Sequence, residues 1–593
     1  MVDGGYAAAV KETFETKPLR TVLMIDDEFP SLSDVIRGVD NSKKFRQSDR
    51  ALVLYEGFRR RQMICDVEND VGDVHADRFR KSDLIILDYN LGPTENDNEQ
   101  SIRVLRELAG SKHFNTVVVY TADPELDDVW LAIVASLSGD WNGLPGALEG
   151  EAQEHWEKLS DTDQLPDPSI EAIKSYAERR DIRDIPSKVF AAAQKELEDL
   201  GVPKAATPKI LEALIHRDLA SRAGRWAGEP RRRAVGKAAD GVRWIQSHNS
   251  FVAIVQKADA SDEDASDPYG IMAHLGTALL AWRPNLIQVI MSEIQNILEL
   301  EALTTEDEHL ALGETQAALW YYLLQNVGAI DPDDGDDLRP PLASLVDKLV
   351  DGIRHRLSSD QALLELAGNA MRGELRDAGM KPDTWPDSKR VALIKKAGEL
   401  TRAGKVDPKA VAFRLNSFLS TERFRRAHLS TGTVFRHGDE IWAATSPACD
   451  LVARQPGVDQ AWSHAIHPMT ALVAIKLHSG GELPSALTEA TKGNHVFFEL
   501  DGTPTALKLV NAVSQPSYEI FFAHNEGRVR LDGDRTVFTA SRLMPLEDGS
   551  RGLVEQEFEV VGQLRGVNAI RALQSAGQHL SRVGLDFVSL PPN

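Results

Sequence analysis

Cysteine is nearly absent: Cys65 and Cys449 are the two in 593 residues, far apart and neither in a CxxC pair. No disulfide framework and no thiolate zinc site is therefore encoded. Long apolar runs are also missing. The longest apolar segment, residues 276–290, is broken by Arg283, Pro284 and Asn285, whereas a membrane helix needs about 18 apolar residues in a row. Residues 1–17 lack the continuous apolar core of a signal peptide. A cytoplasmic protein is expected. Positive charge is in deficit, with a formal net charge of −23. That argues against a general nucleic-acid coat but leaves room for a local basic patch. There is no Walker loop, no GxSxG, no HExxH and no kinase motif set. Neither an internal repeat nor a low-complexity linker interrupts the chain. Hydrophobic residues at 42% and charged residues at 26% are ordinary globular values, so a folded multidomain chain is expected.

What is present falls into regions by pattern. From residue 18 to 123, short apolar runs alternate with amphipathic stretches. The runs are 21–25, 63–67, 84–87 and 116–120, and residues 50–61 and 101–108 carry apolar positions at helical spacing. Strands alternating with helices imply a parallel sheet with crossover helices. Residues 124–248 read as helical, and within 201–248 ten Lys and Arg stand against four Asp and Glu. One more β-rich run, FVAIVQ at 251–256, is followed by Lys257 and an acidic loop at 259–267. Residues 269–425 are helical in pattern around an acidic turn at 331–337. Short β-type runs then dominate 431–561, at 432–435, 440–444, 471–476, 495–500, 519–522 and 557–561, separated by Gly, Asp and Asn turns. That region is expected to be an antiparallel barrel or sandwich, closed by a last helix at 566–581.

Four strand ends carry the chemistry. Asp26, Asp27 and Glu28 follow TVLMI, Asp88 ends DLIIL, Thr121 ends TVVVY, and Lys257 ends FVAIVQ. In an open parallel sheet the site lies outside the carboxyl ends of the strands, so these groups would meet in one crevice. Clustered carboxylates repel one another and call for a hard divalent cation such as Mg²⁺, which takes oxygen ligands. A strand-final Asp beside that cation and an ammonium has the makings of a phosphoryl-accepting nucleophile. Incidental acids at strand ends are the bland reading, since acids favour turns anyway.

IDDE, then ILDYNLGP, then YTAD, then a strand-final Lys resemble, in order and in strand context, the signature of response-regulator receiver domains. The resemblance implies an α/β doubly wound, flavodoxin-like fold. It implies Asp26 and Asp27 as the acidic pair, Asp88 as phosphoacceptor, Thr121 as switch hydroxyl and Lys257 as the strand-final lysine. The metal set would be Asp26, Asp27, Asp88 and the backbone carbonyl of Asn90, holding Mg²⁺. A sensor histidine kinase would be the phosphoryl donor. Two departures stand out. Lys257 comes 136 residues after Thr121, where one helix and two loops suffice in the family. Either the domain is split by an insertion, or the lysine is missing and FVAIVQK belongs elsewhere. Ile254 occupies the place of the family's aromatic switch residue. The domains expected are a receiver at 18–123 and 245–290, a helical insertion at 124–244, a helical domain at 291–425 and a β-rich domain at 426–593. Split receiver, TSPACDLV and RVGLDFV together also resemble receiver proteins of phage-defence two-component systems, decoy phosphate sinks among them.

Weaker signals keep two readings each. Cys449 and Asp450 with His464 and His467 could bind a metal in an effector enzyme, or be a buried Cys near surface histidines. The basic stretch 217–237 could meet nucleic acid or an acidic partner, or be a helix face answering the chain's own acids. Output is either docking of a downstream effector protein, no output at all (a sink), or a hidden C-terminal enzyme.

Overall fold

The computed structural model describes residues 4–38, 45–70, 82–91, 98–110, 114–139, 141, 148–179, 181–228, 234–239, 241–247, 249–258, 264–300, 312–324, scattered positions between 342 and 368, 387–400, 406–451, 466–512 and 514–581. Among them no helix is long and apolar enough to cross a membrane. The chain divides into two compact units. One is Met1–Leu300 with Asp360–Arg372, the other Glu301–Ser359 with Gly373–Asn593.

The first unit is built on a seven-stranded sheet. Its strands are β1 (Thr21–Ile25), β2 (Ile64–Glu68), β3 (Leu84–Asp88), β4 (Asn115–Thr121), β5 (Ala234–Ala239), β6 (Val242–Ser247) and β7 (Ser250–Gln256). They lie in the order β2-β1-β3-β4-β7-β6-β5. From β2 to β7 every pairing is parallel. Along β1, β3, β4 and β7 both faces are covered, which is why these four strands are largely continuous apolar runs. Alternate residues sort cleanly. Leu23, Ile25, Ile85, Leu87, Val117, Val119, Val252 and Ile254 enter a core shared with the helix Leu126–Ser138. Val22, Met24, Leu84, Ile86, Val118, Tyr120, Phe251 and Val255 enter the opposite core with the helices Ser48–Arg60 and Ile271–Trp282. This is the doubly wound, flavodoxin-like arrangement.

The stretch 124–248 departs from its helical expectation. It does contain the helices Glu151–Asp161, Ile170–Arg179, Ser187–Asp199 and Thr207–Ala223. It also contains the hairpin β5–β6, which joins the sheet antiparallel to β7. AVGKAA has little intrinsic strand preference, so its strand is made by its neighbour rather than by its own residues. A Cβ at Gly236 would lie 2.6 Å from the Trp244 carbonyl oxygen and 3.1 Å from the Trp130 ring, so glycine is what lets the edge strand approach.

The second unit carries an antiparallel sheet. Its strands are β8 (Thr421–Glu422), β9 (Thr433–His437), β10 (Glu440–Ala444), β11 (Thr470–Ser479), β12 (His495–Leu500), β13 (Thr503–Lys508), β14 (Ser517–Ala523), β15 (Arg530–Asp532), β16 (Arg535–Pro545) and β17 (Arg551–Leu564). The path β10-β9-β17-β16-β14-β11 closes on itself through a β10–β11 pairing, which makes a six-stranded barrel. Closure removes the sheet edges. Inward residues Phe435, Trp442, Phe521, Phe538 and Phe558 fill the interior, and Phe435 meets Phe521, Phe538 and Phe558 edge-on. Helix Gly566–Ser581 follows β17.

Candidate functional site

Each parallel strand ends at the same edge of the sheet and leaves a polar group there. Asp26 and Asp27 follow β1, Asp88 closes β3, Thr121 closes β4 and Lys257 follows β7. The pairing of β4 with β7 runs in register from Asn115 opposite Ser250 to Thr121 opposite Gln256. It is extended by the Lys257 backbone N–H donating to the Thr121 carbonyl at 2.6 Å. That register delivers a residue 136 positions downstream of Thr121 to the acidic cluster. The Lys257 ammonium stands 2.9 Å from Asp26 Oδ2 and 3.2 Å from Asp88 Oδ2. FVAIVQK therefore belongs to this sheet, and the alternative that placed it elsewhere falls.

The cluster is buried and over-supplied with negative charge. Carboxylate oxygens of Asp26, Asp27 and Asp88 all lie within 4.8 Å of one another. The Lys257, Asp26 and Asp88 side chains are 5%, 4% and 9% exposed. Burial pushes Asp88 up to about 7, with Asp26 adding repulsion and Lys257 resisting. Asp26 and Asp27 are raised for the same first reason, burial. Burial also works against the charged Lys257, but the attraction of Asp26 and Asp88 outweighs it and its pKa is raised. Three carboxylates, Asp26 and Asp88 buried and Asp27 half-buried, against one ammonium leave an uncompensated negative charge. Buried charge is costly unless paired, and oxygen ligands grouped this closely suit a hard divalent cation. The donor set thus fits Mg²⁺.

The remaining groups have defined places. Thr121 is fully buried, and its Oγ1 accepts the Asp123 N–H at 3.1 Å, which leaves the hydroxyl proton available to an acceptor. Asp26 Oδ1 accepts the Glu28 N–H at 2.9 Å. The Glu28 carboxylate turns away to accept from Gln47 Nε2 at 2.5 Å, so the third acid of IDDE is not in the cluster. Asn90 is half-buried after β3. Ile254 is buried in the core opposite Tyr120. Sequence reading missed Tyr120, Arg50 and Tyr269, which stack beside Lys257. No periodicity links residues so far apart along the chain.

The weaker signals resolve unevenly. Described arginines of the basic stretch are paired within the same unit. Arg217 reaches Asp167 at 2.8 Å, and Arg222 reaches Asp128 and Asp218, both at 2.6 Å. Arg225 pairs with Glu99. Arg231, Arg232 and Arg233 lie outside the described residues, as do His464 and the Cys449 side chain; Asp450 and His467 are exposed. In the acidic loop, Asp267 caps the helix after it by accepting the N–H groups of Met272 and Ala273 at 2.8 and 2.9 Å.

Residues 18–164 match the family model described as the response receiver domain. The match spans the acidic pair, Asp88 and Thr121 and ends before Lys257. The chain therefore carries a divergent response-regulator receiver domain, which implies a phosphoacceptor role and a histidine kinase or phosphotransfer partner. Neither the curated proteins nor the solved structures return a match.

Proposed function

We propose, from that receiver domain as premise, that Asp88 accepts a phosphoryl group from a phosphohistidine of a sensor kinase, and that the chain works as a response regulator in a two-component relay. The observation that carries the reading is the Lys257 ammonium held between Asp26 and Asp88 at 2.9 and 3.2 Å, across an insertion that hides the lysine in the sequence. Mg²⁺ would be held by the carboxylates of Asp26, Asp27 and Asp88 and by the Asn90 backbone carbonyl. Bound there, it would supply positive charge to the oxygens of the group in transfer.

The residues divide the work. An ionised Asp88 oxygen attacks phosphorus; the P–O bond forms as the P–N bond breaks, and the imidazole leaves with that electron pair. Lys257 releases part of its hold on Asp88 and donates to a phosphoryl oxygen, in a largely buried site where charge stabilisation is strong. Thr121 donates its hydroxyl proton to another phosphoryl oxygen and thereby registers occupancy. The domain reading that goes with this joins 18–123 and 245–290 as receiver across an insertion at 124–244.

The aromatic filling of the barrel supports a signalling or docking role for the second unit over a hidden effector enzyme. Mass spectrometry after exposure to a small acyl phosphate and Mg²⁺ tests the proposal. One phosphoryl on the wild type and none on Asp88→Asn is expected. Equal labelling of the two would refute it.

A further inference from the structure

Lys257 has three N–H bonds, and the two carboxylates account for two directions. The third side of the ammonium faces an aromatic ring: Lys257 Nζ lies 5.8 Å from the centroid of Tyr120. Tyr120 is placed there by register, since its backbone pairs with Asp88 on one side and with Val255 on the other. Its ring is buried in the core. What sets the ring's orientation is its hydroxyl, which accepts from Arg50 Nη1 at 2.6 Å. The Arg50 guanidinium in turn lies over two rings, 5.7 Å from Tyr120 and 4.7 Å from Tyr269.

Tyr269 stands in an unusual conformation to do this. Its φ is +64° with ψ 6°, a region that costs a bulky residue about 1–2 kcal/mol. Such strain persists where surroundings over-determine it. Here the segment 264–270 is fastened to the helix that bears Arg50. Arg60 Nη1 donates to the Ala265 carbonyl and Arg61 Nε to the Ser266 carbonyl, both at 2.8 Å. A Cβ at Gly57 would lie 2.4 Å from Pro268 Cδ, so helix and loop are in direct backbone-to-ring contact. The lysine, the ring beside it and the arginine that steers the ring are thus one connected assembly.

We propose that Arg50, acting through Tyr120, is a positioning residue for the Lys257 ammonium, and that Tyr269 holds Arg50 in that role. The physical reason is preorganisation. A lysine stem has four rotatable bonds, and an ammonium that wanders loses its value at a developing charge. The ring face closes the side not occupied by carboxylates, and cation–π attraction favours the ammonium there. This inference rests on the reading that Asp88 takes a phosphoryl group.

The test measures Asp88 labelling by a small acyl phosphate at saturating Mg²⁺, in wild type and in Arg50→Ala, Arg50→Lys and Tyr120→Phe. Each variant is also made on a Lys257→Met background. Arg50→Ala should lower the maximal rate about tenfold with little change in the donor KM, as expected for lost orientation rather than lost binding. Arg50→Lys can still donate to the Tyr120 hydroxyl and should recover part of the rate. Tyr120→Phe keeps the ring and loses its anchor, so it should fall by a smaller factor; it also serves if Arg50→Ala fails to fold. On the Lys257→Met background all three changes should be nearly silent, because neighbours acting through one group are non-additive. An effect of the same size with and without Lys257 would overturn the proposal, and so would wild-type rates in Arg50→Ala. A wild type that takes no phosphoryl at all would instead bring down the reading of Asp88, and this inference with it.

Discussion

Both compact units gather charged side chains at one end of a set of β-strands, and they balance them in opposite ways. In the receiver unit three carboxylates, Asp26, Asp27 and Asp88, share one ammonium, Lys257. At the mouth of the barrel, two carboxylates meet two cations. Arg542 spreads its guanidinium over three strands, with Nη2 to Glu440 at 2.7 Å, Nη1 to Glu519 at 3.1 Å and Nε to Gln556 at 3.0 Å. It sits 4.8 Å above the Trp442 ring, and Lys476 pairs with Glu440 from a fourth strand. The Glu440 carboxyl is lowered, burial being outweighed by hydrogen bonds from Lys476 and Arg542, whereas Asp88 is raised to about 7. The same kinds of residue therefore mean different things. A balanced, fully bonded ring is a plug that holds strands together. A buried excess of one sign is a site waiting for a cation and a charged reactant.

If that contrast is sound, the largest effect belongs to the metal. Asp27→Ala removes a carboxylate from a site that already exceeds its internal counter-charge, so the fold should tolerate it while Mg²⁺ affinity falls by on the order of 100-fold. Isothermal titration of the unphosphorylated protein checks this, and unchanged affinity would mean that the cluster is not a metal site. Arg542→Met comes next and acts the other way. It leaves Glu519 without its cation and removes a cross-strand clamp, so stability should drop by about 2 kcal/mol, discounted because Glu440 and Glu519 are each 37% exposed. Denaturant melting of the full chain should show that loss in one transition while Asp88 labelling is unaffected.

The two regions were unequally legible in the sequence. Buried parallel strands must be continuous apolar runs, and each must end where polar chain begins, so TVLMI-DD, LIIL-D and VVVY-T announced both the strands and their terminal groups. FVAIVQ-K could be placed by the same logic despite the insertion. AVGKAA could not, because its strand exists through VRWIQS and the Trp130–Gly236 approach rather than through its own residues. The second unit was legible as an antiparallel barrel or sandwich, but the choice between the two was not. Closure depends on β10 pairing with β11, and residues 503–508 and 535–545 went unread as strands because polar residues interrupt them. Arg542 lies in one of these, and nothing in RTVFTASRLMP distinguishes an inward arginine from a solvated one. The stack of Tyr269 on Arg50 needs a positive φ at a tyrosine, which no local pattern foretells.

Proton binding offers a subtler separation of the two regions. A carboxyl raised in the folded state destabilises the fold above its folded pKa, and the penalty is relieved as pH falls through that value. With Asp88 at about 7, the metal-free protein should gain about 1 kcal/mol between pH 8 and pH 6. The gain should vanish in Asp88→Asn, which is itself more stable than wild type at pH 8. Mg²⁺ should reverse the slope, because the cation needs the ionised carboxylates and protons compete with it as pH falls. The difference in melting temperature between wild type and Asp88→Asn isolates this group from the histidines of the barrel. A difference that does not change with pH would show that the receiver cluster is as well balanced as the barrel ring.

The smallest expected effect concerns the lifetime of the phosphorylated state, and it bears on whether the receiver switches or drains. Asn90 is the second residue after Asp88 and Asp123 the second after Thr121. Both are polar and half-buried at the edge where the phosphoryl group would stand. Asp123 Oδ1 accepts the Glu125 N–H at 2.8 Å, which orients its carboxylate while leaving the second oxygen to bind water. An amide and a carboxylate so placed can align a water for attack on phosphorus, and neither is bulky enough to exclude it. Asn90→Met/Asp123→Leu replaces both with apolar groups that exclude water, so decay of the labelled protein should slow about three- to tenfold, or roughly 1 kcal/mol in barrier. The chase is run after removal of donor, with Mg²⁺ present throughout. A short wild-type lifetime that lengthens in the double variant would favour a phosphate sink or a fast switch. A wild-type half-life of many hours, or decay unaltered by the two substitutions, would show that these positions do not position water and that the acyl phosphate is kept.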